Sequence, residues 1–234
     1  MLSEKIREEE KRMLSSIMVP LLLVVMMWAV KIIEVVGEFN LSFLAIYPLK
    51  WQYLQGILTT PFIHGDFKHL LANTVPIFVL GSALFYFYKD IALKILVLIW
   101  LFTGFWVWNA ARPAFHIGAS GIVYGLAAFI FTSGILRRHA GLMSVALIVV
   151  FLYGSLIWGI FPEFFPQERI SWESHLFGLV AGVVMAIVYR HEGPQRRKYS
   201  WELEEEEEEA DETNMENTGN KENDEDAFWR SNIS

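Results

Sequence analysis

Apolar residues along this chain fall into about six long runs separated by short polar breaks: 13–36, 70–88, 91–108, 119–136, 142–161 and 174–189. Each run is long enough, or nearly long enough, to cross a bilayer as a helix. The last is short and predicts a helix that begins below the membrane surface. Tryptophans cluster at the ends of the runs (Trp51, Trp106, Trp108, Trp158 and Trp172), as in an interfacial aromatic belt. The 37–68 segment is rich in Trp, Tyr, Phe and Leu, too apolar for a solvated linker, and is expected to lie in the membrane interface. The pattern breaks at Gly193. Beyond it the chain is rich in Glu and Asn, with an unbroken acidic run from Glu204 to Glu209, and predicts a disordered, solubilising tail.

Composition supports the pattern. Of 234 residues, 54% are hydrophobic, and the mean hydropathy is +0.35, high for a soluble domain. So many near-charge-free helices leave too little polar surface for a soluble helical core. The net charge of −7 owes much to the tail. The absence of cysteine excludes disulfides, thiolate metal sites and a cysteine nucleophile. The first apolar run has no small-residue cleavage site and reads as a retained helix rather than a signal peptide.

Lysine and arginine predict the topology. With six spans, one side carries Lys5, Arg7, Lys11, Arg12, Lys89, Lys94, Arg137, Arg138, Arg190 and the Arg196-Arg197-Lys198 cluster. The other carries Lys31, Lys50, Lys68, Arg112 and Arg169. The richer side is expected to be cytoplasmic, with both termini inside. The starts of spans two, four and six then face outward. His69, Ser120 and His175 lie one at each of those starts, so three placements converge on one membrane depth.

Those residues suggest chemistry. Ser120 stands in Gly118-Ala119-Ser120-Gly121 at the mouth of a hydrophobic helix. A serine hydroxyl needs a base to take its proton, and His175 is the candidate. The pairs Gly121/Gly125 and Gly178/Gly182, each four apart, would let spans four and six approach closely and bring imidazole to hydroxyl. A helix N-terminus at Ser120 would offer backbone N–H groups to an oxyanion. His69 and Asn73, also four apart, share one face of span two and would add donors. Tyr124, one turn below Ser120, would stack on His175. Each feature taken singly also has a plainer reading: a hydrogen-bonded helix end for His175, interhelical hydrogen bonding for His69 and Asn73, and packing for the glycines and Tyr124.

Together the motifs His69-Leu-Leu-Ala-Asn73, Gly118-Ala119-Ser120-Gly121 with Tyr124, and His175-x-x-Gly178-x-x-x-Gly182 resemble those of rhomboid intramembrane serine proteases, in the family's order and on its second, fourth and sixth helices. The resemblance spans roughly 56–189. It implies an all-α, six-transmembrane-helix bundle: a cytoplasmic segment 1–12, a membrane-embedded protease domain 13–191, and an acidic cytoplasmic tail 192–234. It also implies a serine endopeptidase in a bacterial inner membrane, with its active site toward the outer side. Ser120 would be the nucleophile and His175 the base of a dyad without an acid, with His69, Asn73 and Gly118 supporting the oxyanion and Tyr124 holding the His175 ring. The expected partners are transmembrane protein substrates and lipid; no cofactor, metal or nucleic acid is expected. An inactive relative that binds membrane helices is the alternative.

The chain departs from the family in having Gln55-Gly56 where many members have Trp-Arg, and Ser174 where many have Ala before the histidine. Other classes fit less well. There is no His-Glu-x-x-His for a metalloprotease, no Asp within an apolar run for an aspartyl protease, and no inverted repeat for a transporter. A zinc site from His64, His69, His116 and His175 would leave Asn73 and the glycine-flanked serine unexplained. His64 and His116 otherwise receive no role.

Overall fold

The computed structural model describes residues 2–152 and 171–194, and two isolated positions, 208 and 210. By its internal contacts the chain divides into Met1–Gln195 and Arg196–Ser234; every element below belongs to the first unit. The described residues form α1 (Leu2–Val36), α2 (Gly56–Thr59), α3 (Phe67–Phe87), α4 (Ala92–Ala110), α5 (Ser120–Leu136), α6 (Ala140–Leu152) and α7 (Trp172–Val188), with three short 3-10 turns between α1 and α3. The end of the expected fifth span and nearly all of the expected tail lie outside the described residues.

Three helices, Glu4–Val36, Phe67–Phe87 and Ala92–Ala110, are long and apolar enough to cross a membrane; Ser120–Leu136, Ala140–Phe151 and Trp172–Val188 are apolar but shorter. α1 begins well before the apolar run at Met13. Its charged first turns are made of Glu, Lys and Arg, which are good helix formers. They are also anchored: Arg12 donates from Nε and Nη2 to the Tyr86 carbonyl at 3.1 and 2.9 Å, and the Tyr86 hydroxyl donates to Glu9 at 3.0 Å.

α5 lies at the centre, against α3, α4, α6 and α7. Most of its length is buried, including Gly121, Tyr124, Gly125, Phe129 and Ile130. The 37–68 segment folds as turns against the α4–α5 loop. Ile46 and His116 exchange backbone hydrogen bonds at 3.2 and 2.9 Å, and Tyr47, Tyr53 and Phe115 form an aromatic cluster with centroids 5.1–5.8 Å apart. Here the Gln55-Gly56 departure finds its physical counterpart. Gln55 donates to the Phe43 carbonyl at 3.0 Å, and Gly56 lies so close to Ala45 that a Cβ would stand 2.5 Å from its carbonyl oxygen. The Gln55 amide and the bare backbone of Gly56 thus hold this stretch against residues 43–45.

Candidate active site

α5 and α7 meet backbone to backbone. A Cβ on Gly178 would collide with the carbonyl oxygen of Gly121, and one on Gly182 with that of Gly125. α4 presses on the same glycines from another side, through Thr103 at Gly121 and Ile99 at Gly125. Small residues at this spacing remove the side chains that would hold two helices apart. The result places His175 Nε2 2.9 Å from Ser120 Oγ, within hydrogen-bonding reach. Tyr124 lies under the imidazole, its ring stacked at 4.2 Å with an interplanar angle of 12°. His175 is buried, whereas Ser120 is half-buried.

Ser120 is the first residue of α5. The loop before it turns through Gly118, whose φ of +99° lies in the region that glycine alone enters readily. Its N–H donates to the Thr60 carbonyl at 3.1 Å. A Cβ at Gly118 would stand 2.6 Å from His69 Nε2 and 3.7 Å from Asn73 Nδ2. Both side chains of α3 thus point at the backbone two residues ahead of the serine. Asn73 is buried, and its amide donates to the His69 carbonyl at 3.1 Å. The Asp66 carboxylate caps α3 by accepting from the His69 N–H at 2.7 Å, which holds its carboxyl below the ordinary range. The N–H groups of Ile122 and Val123 donate to the Ala119 carbonyl at 2.9 and 3.1 Å, and those of Ser120 and Gly121, ahead of them, are the donors that a helix start has to offer. Nucleophile, base and donors therefore converge from α5, α7 and α3.

Two histidines without an expected role prove to be buried at this site. His64 meets the His69 ring edge-on at 5.0 Å, and neither of its ring nitrogens has a hydrogen-bond partner among the described residues. Burial, with help from His69 and Lys31, pushes it down to about 3. His116 bonds Ser171 Oγ through Nδ1 at 2.6 Å. Sequence reasoning also missed Lys31 and Glu173. Lys31 is buried in α1 and donates to Glu34 and to the carbonyls of His64 and Gly65 at 2.8, 2.9 and 3.1 Å. Glu173 is buried two residues before His175 and pairs with Arg112 at 3.3 Å. A charge set inside or at the lip of an apolar run was the available signal. Among the described residues, no three His, Cys, Asp or Glu side chains gather as a metal site.

The Rhomboid domain model matches residues 50–192. The chain belongs to the rhomboid family. The match runs from just ahead of the 3-10 turn Trp51–Tyr53 through α7 and leaves out α1. Among related proteins, an uncharacterized protein of Mycobacterium tuberculosis is 32% identical over 180 residues, covering 74% of each chain. One from Mycobacterium leprae is 30% identical over 178 residues, covering 74% of this chain and 70% of its own. A protein of Acanthamoeba polyphaga mimivirus that carries the rhomboid name is 28% identical over 144 residues, covering 56% of this chain and 73% of its own.

Proposed function

We propose that this rhomboid is an intramembrane serine endopeptidase that cuts membrane proteins in or near their transmembrane segments. The contact of 2.9 Å between His175 Nε2 and Ser120 Oγ carries the reading. In that mechanism neutral His175 takes the Ser120 proton as Oγ attacks the substrate carbonyl carbon. The carbonyl electron pair moves onto oxygen, and the oxyanion is met by backbone N–H groups at the start of α5 and by His69 and Asn73. Collapse expels the amine, which takes its proton from His175, and leaves an ester on Ser120. Water then gives one proton to His175 and its hydroxyl to the acyl carbon; collapse of this second oxyanion breaks the bond to Ser120 Oγ, which takes the proton back from His175 as the new carboxyl group leaves. Tyr124 keeps the imidazole plane fixed throughout.

The same proposal includes six spans within 13–191, both termini (1–12 and 192–234) in the cytoplasm, and a bacterial inner membrane. The lysine and arginine distribution supports it, as do the mycobacterial relatives. Depth follows from length. α5 and α7 have 17 residues each, about 25 Å at 1.5 Å per residue, against a hydrocarbon core of about 30 Å. Helices that short start below the surface, so Ser120 and His175 sit within the membrane but near its outer face. Irregular backbone at that depth needs protein around it, and the segment folded over the α4–α5 loop supplies it.

The test is cleavage of a model transmembrane substrate by reconstituted protein. Ser120→Ala and His175→Ala are each expected to abolish cleavage without loss of fold. Cleavage retained by Ser120→Ala overturns the mechanism. A folded wild type that binds the substrate helix but never cuts it points to the inactive, helix-binding alternative.

A further inference from the structure

The start of α7 is tied to the α4–α5 loop by two links that lie beside the dyad but outside it. In the first, His116 Nε2 faces the Arg112 carbonyl at 3.1 Å. A carbonyl only accepts, so the network assigns the ring proton to Nε2 and leaves Nδ1 as acceptor. Nδ1 then receives the Ser171 hydroxyl at 2.6 Å, and Ser171 Oγ receives the Ser174 hydroxyl, also at 2.6 Å. Burial, the largest cause, holds His116 below its ordinary value and so keeps this neutral form. In the second link, Arg112 Nε pairs with Glu173 Oε1 at 3.3 Å, and the Arg112 N–H reaches the same oxygen at 3.4 Å.

Ser171 occupies the N-cap position of α7 but makes no side-chain cap. A serine there ordinarily gives its oxygen to the helix N–H groups; this one is turned away toward His116. Ser174 precedes His175, and its carbonyl oxygen would lie 3.0 Å from a Cβ on Gly121, against the turn that carries Ser120. The other side of His116 is equally fixed. Its backbone pairs with Ile46, and its carbonyl accepts from Thr60 Oγ1 at 2.9 Å.

We propose that His116, Ser171 and Ser174, backed by Arg112–Glu173, form a clasp that sets the rotation of the first turn of α7 and thereby aims His175 at Ser120. These are positioning residues, and their role rests on the Ser120–His175 reading. The glycine pairs fix how close α7 comes to α5; the clasp fixes how its first turn is rotated.

Ser171→Val and Ser171→Thr test it in the full-length protein, since valine matches threonine in shape but lacks the hydroxyl. Ser171→Val is expected to lose about tenfold to a hundredfold in kcat with KM unchanged, the scale of a small misplacement of reacting groups. Ser171→Thr should stay near wild type. The ring-nitrogen resonances of His175, read by nuclear magnetic resonance, should move in Ser171→Val and hold in Ser171→Thr. Equal kcat in the two variants of an active enzyme, with His175 unmoved, overturns the clasp. If wild type neither cuts nor takes a serine probe while His175 still distinguishes the two variants, the clasp stands and the hydrolase reading falls. Should Ser171→Val fail to fold, Ser174→Ala breaks the same chain without touching the N-cap. Its expected outcome is the same kcat loss, and wild-type kcat there overturns the proposal.

Discussion

α1 and α5 are both apolar helices, yet they stand at opposite extremes of burial. α1 reaches a mean hydropathy of 2.3 over its most apolar window but buries only 22% of it. Its buried residues are Ser16, Pro20, Met27 and Lys31, spaced as a single stripe along one face. Val19, Leu23, Val24 and Trp28 flank that stripe half-buried against the core, and the opposite face, from Met18 and Leu22 to Ile33, is exposed and suits contact with lipid. α5 is packed on nearly all sides, and its contact face toward α7 is made of glycine. The difference teaches that in this protein apolarity says that a helix is in the membrane, whereas small and polar residues say which face meets protein. Without a hydrophobic drive between helices in lipid, close packing and hydrogen bonds select the contact face. Even α1 follows the rule: Pro20 fits against α3 at Gly81, where a Cβ would stand 2.9 Å from the proline ring.

The largest effect is expected at the seam between α5 and α7. Gly178→Val places carbon where the Gly121 carbonyl already sits and should abolish both cleavage and labelling of Ser120, although neither dyad residue has changed. Full labelling in that variant would erase the contrast between the two helices. Next comes the stripe of α1. Lys31→Met strands the Glu34 carboxylate and the carbonyls of His64 and Gly65. The His64 carbonyl contact is buried, and a buried acceptor left unpaired costs on the order of 1–3 kcal/mol, so thermal stability should drop visibly, with partial loss of turnover because α3 starts just beyond those carbonyls.

A smaller, graded effect is expected from acid. His64 titrates at about 3 in the fold against an ordinary 6.5. As pH falls below 6.5 the unfolded chain takes up a proton that the folded chain refuses. Stability therefore declines between about pH 6.5 and 3, and His64→Leu should flatten that slope in thermal melts. The smallest effect belongs to the outward face of α1. Leu22→Ala, at an exposed site, should change stability by less than about 0.5 kcal/mol and leave turnover alone.

The fold was largely legible because each helix declares itself by an apolar run, and a glycine pair declares a close approach. The Ser120–His175 geometry was legible for the same reason, since Gly121/Gly125 and Gly178/Gly182 lie on the two helices that meet. The supporting shell was not. His116, Ser171 and Glu173 are scattered through loops and helix ends with no periodicity to announce them. Lys31 reads as an ordinary outer-side charge until α1 is laid against the loop before α3. The early start of α1 was hidden too, because charged residues read as solvated segment unless a partner such as Tyr86 is known.

The most direct measurement of the central claim is the site of fluorophosphonate attack, read by mass spectrometry on the full-length protein in membranes. The account predicts one adduct, on Ser120, absent in Ser120→Ala and nearly lost in His175→Ala, because only a serine with its base at 2.9 Å is activated. An unmodified Ser120 in folded wild type, or labelling that survives His175→Ala undiminished, would contradict it.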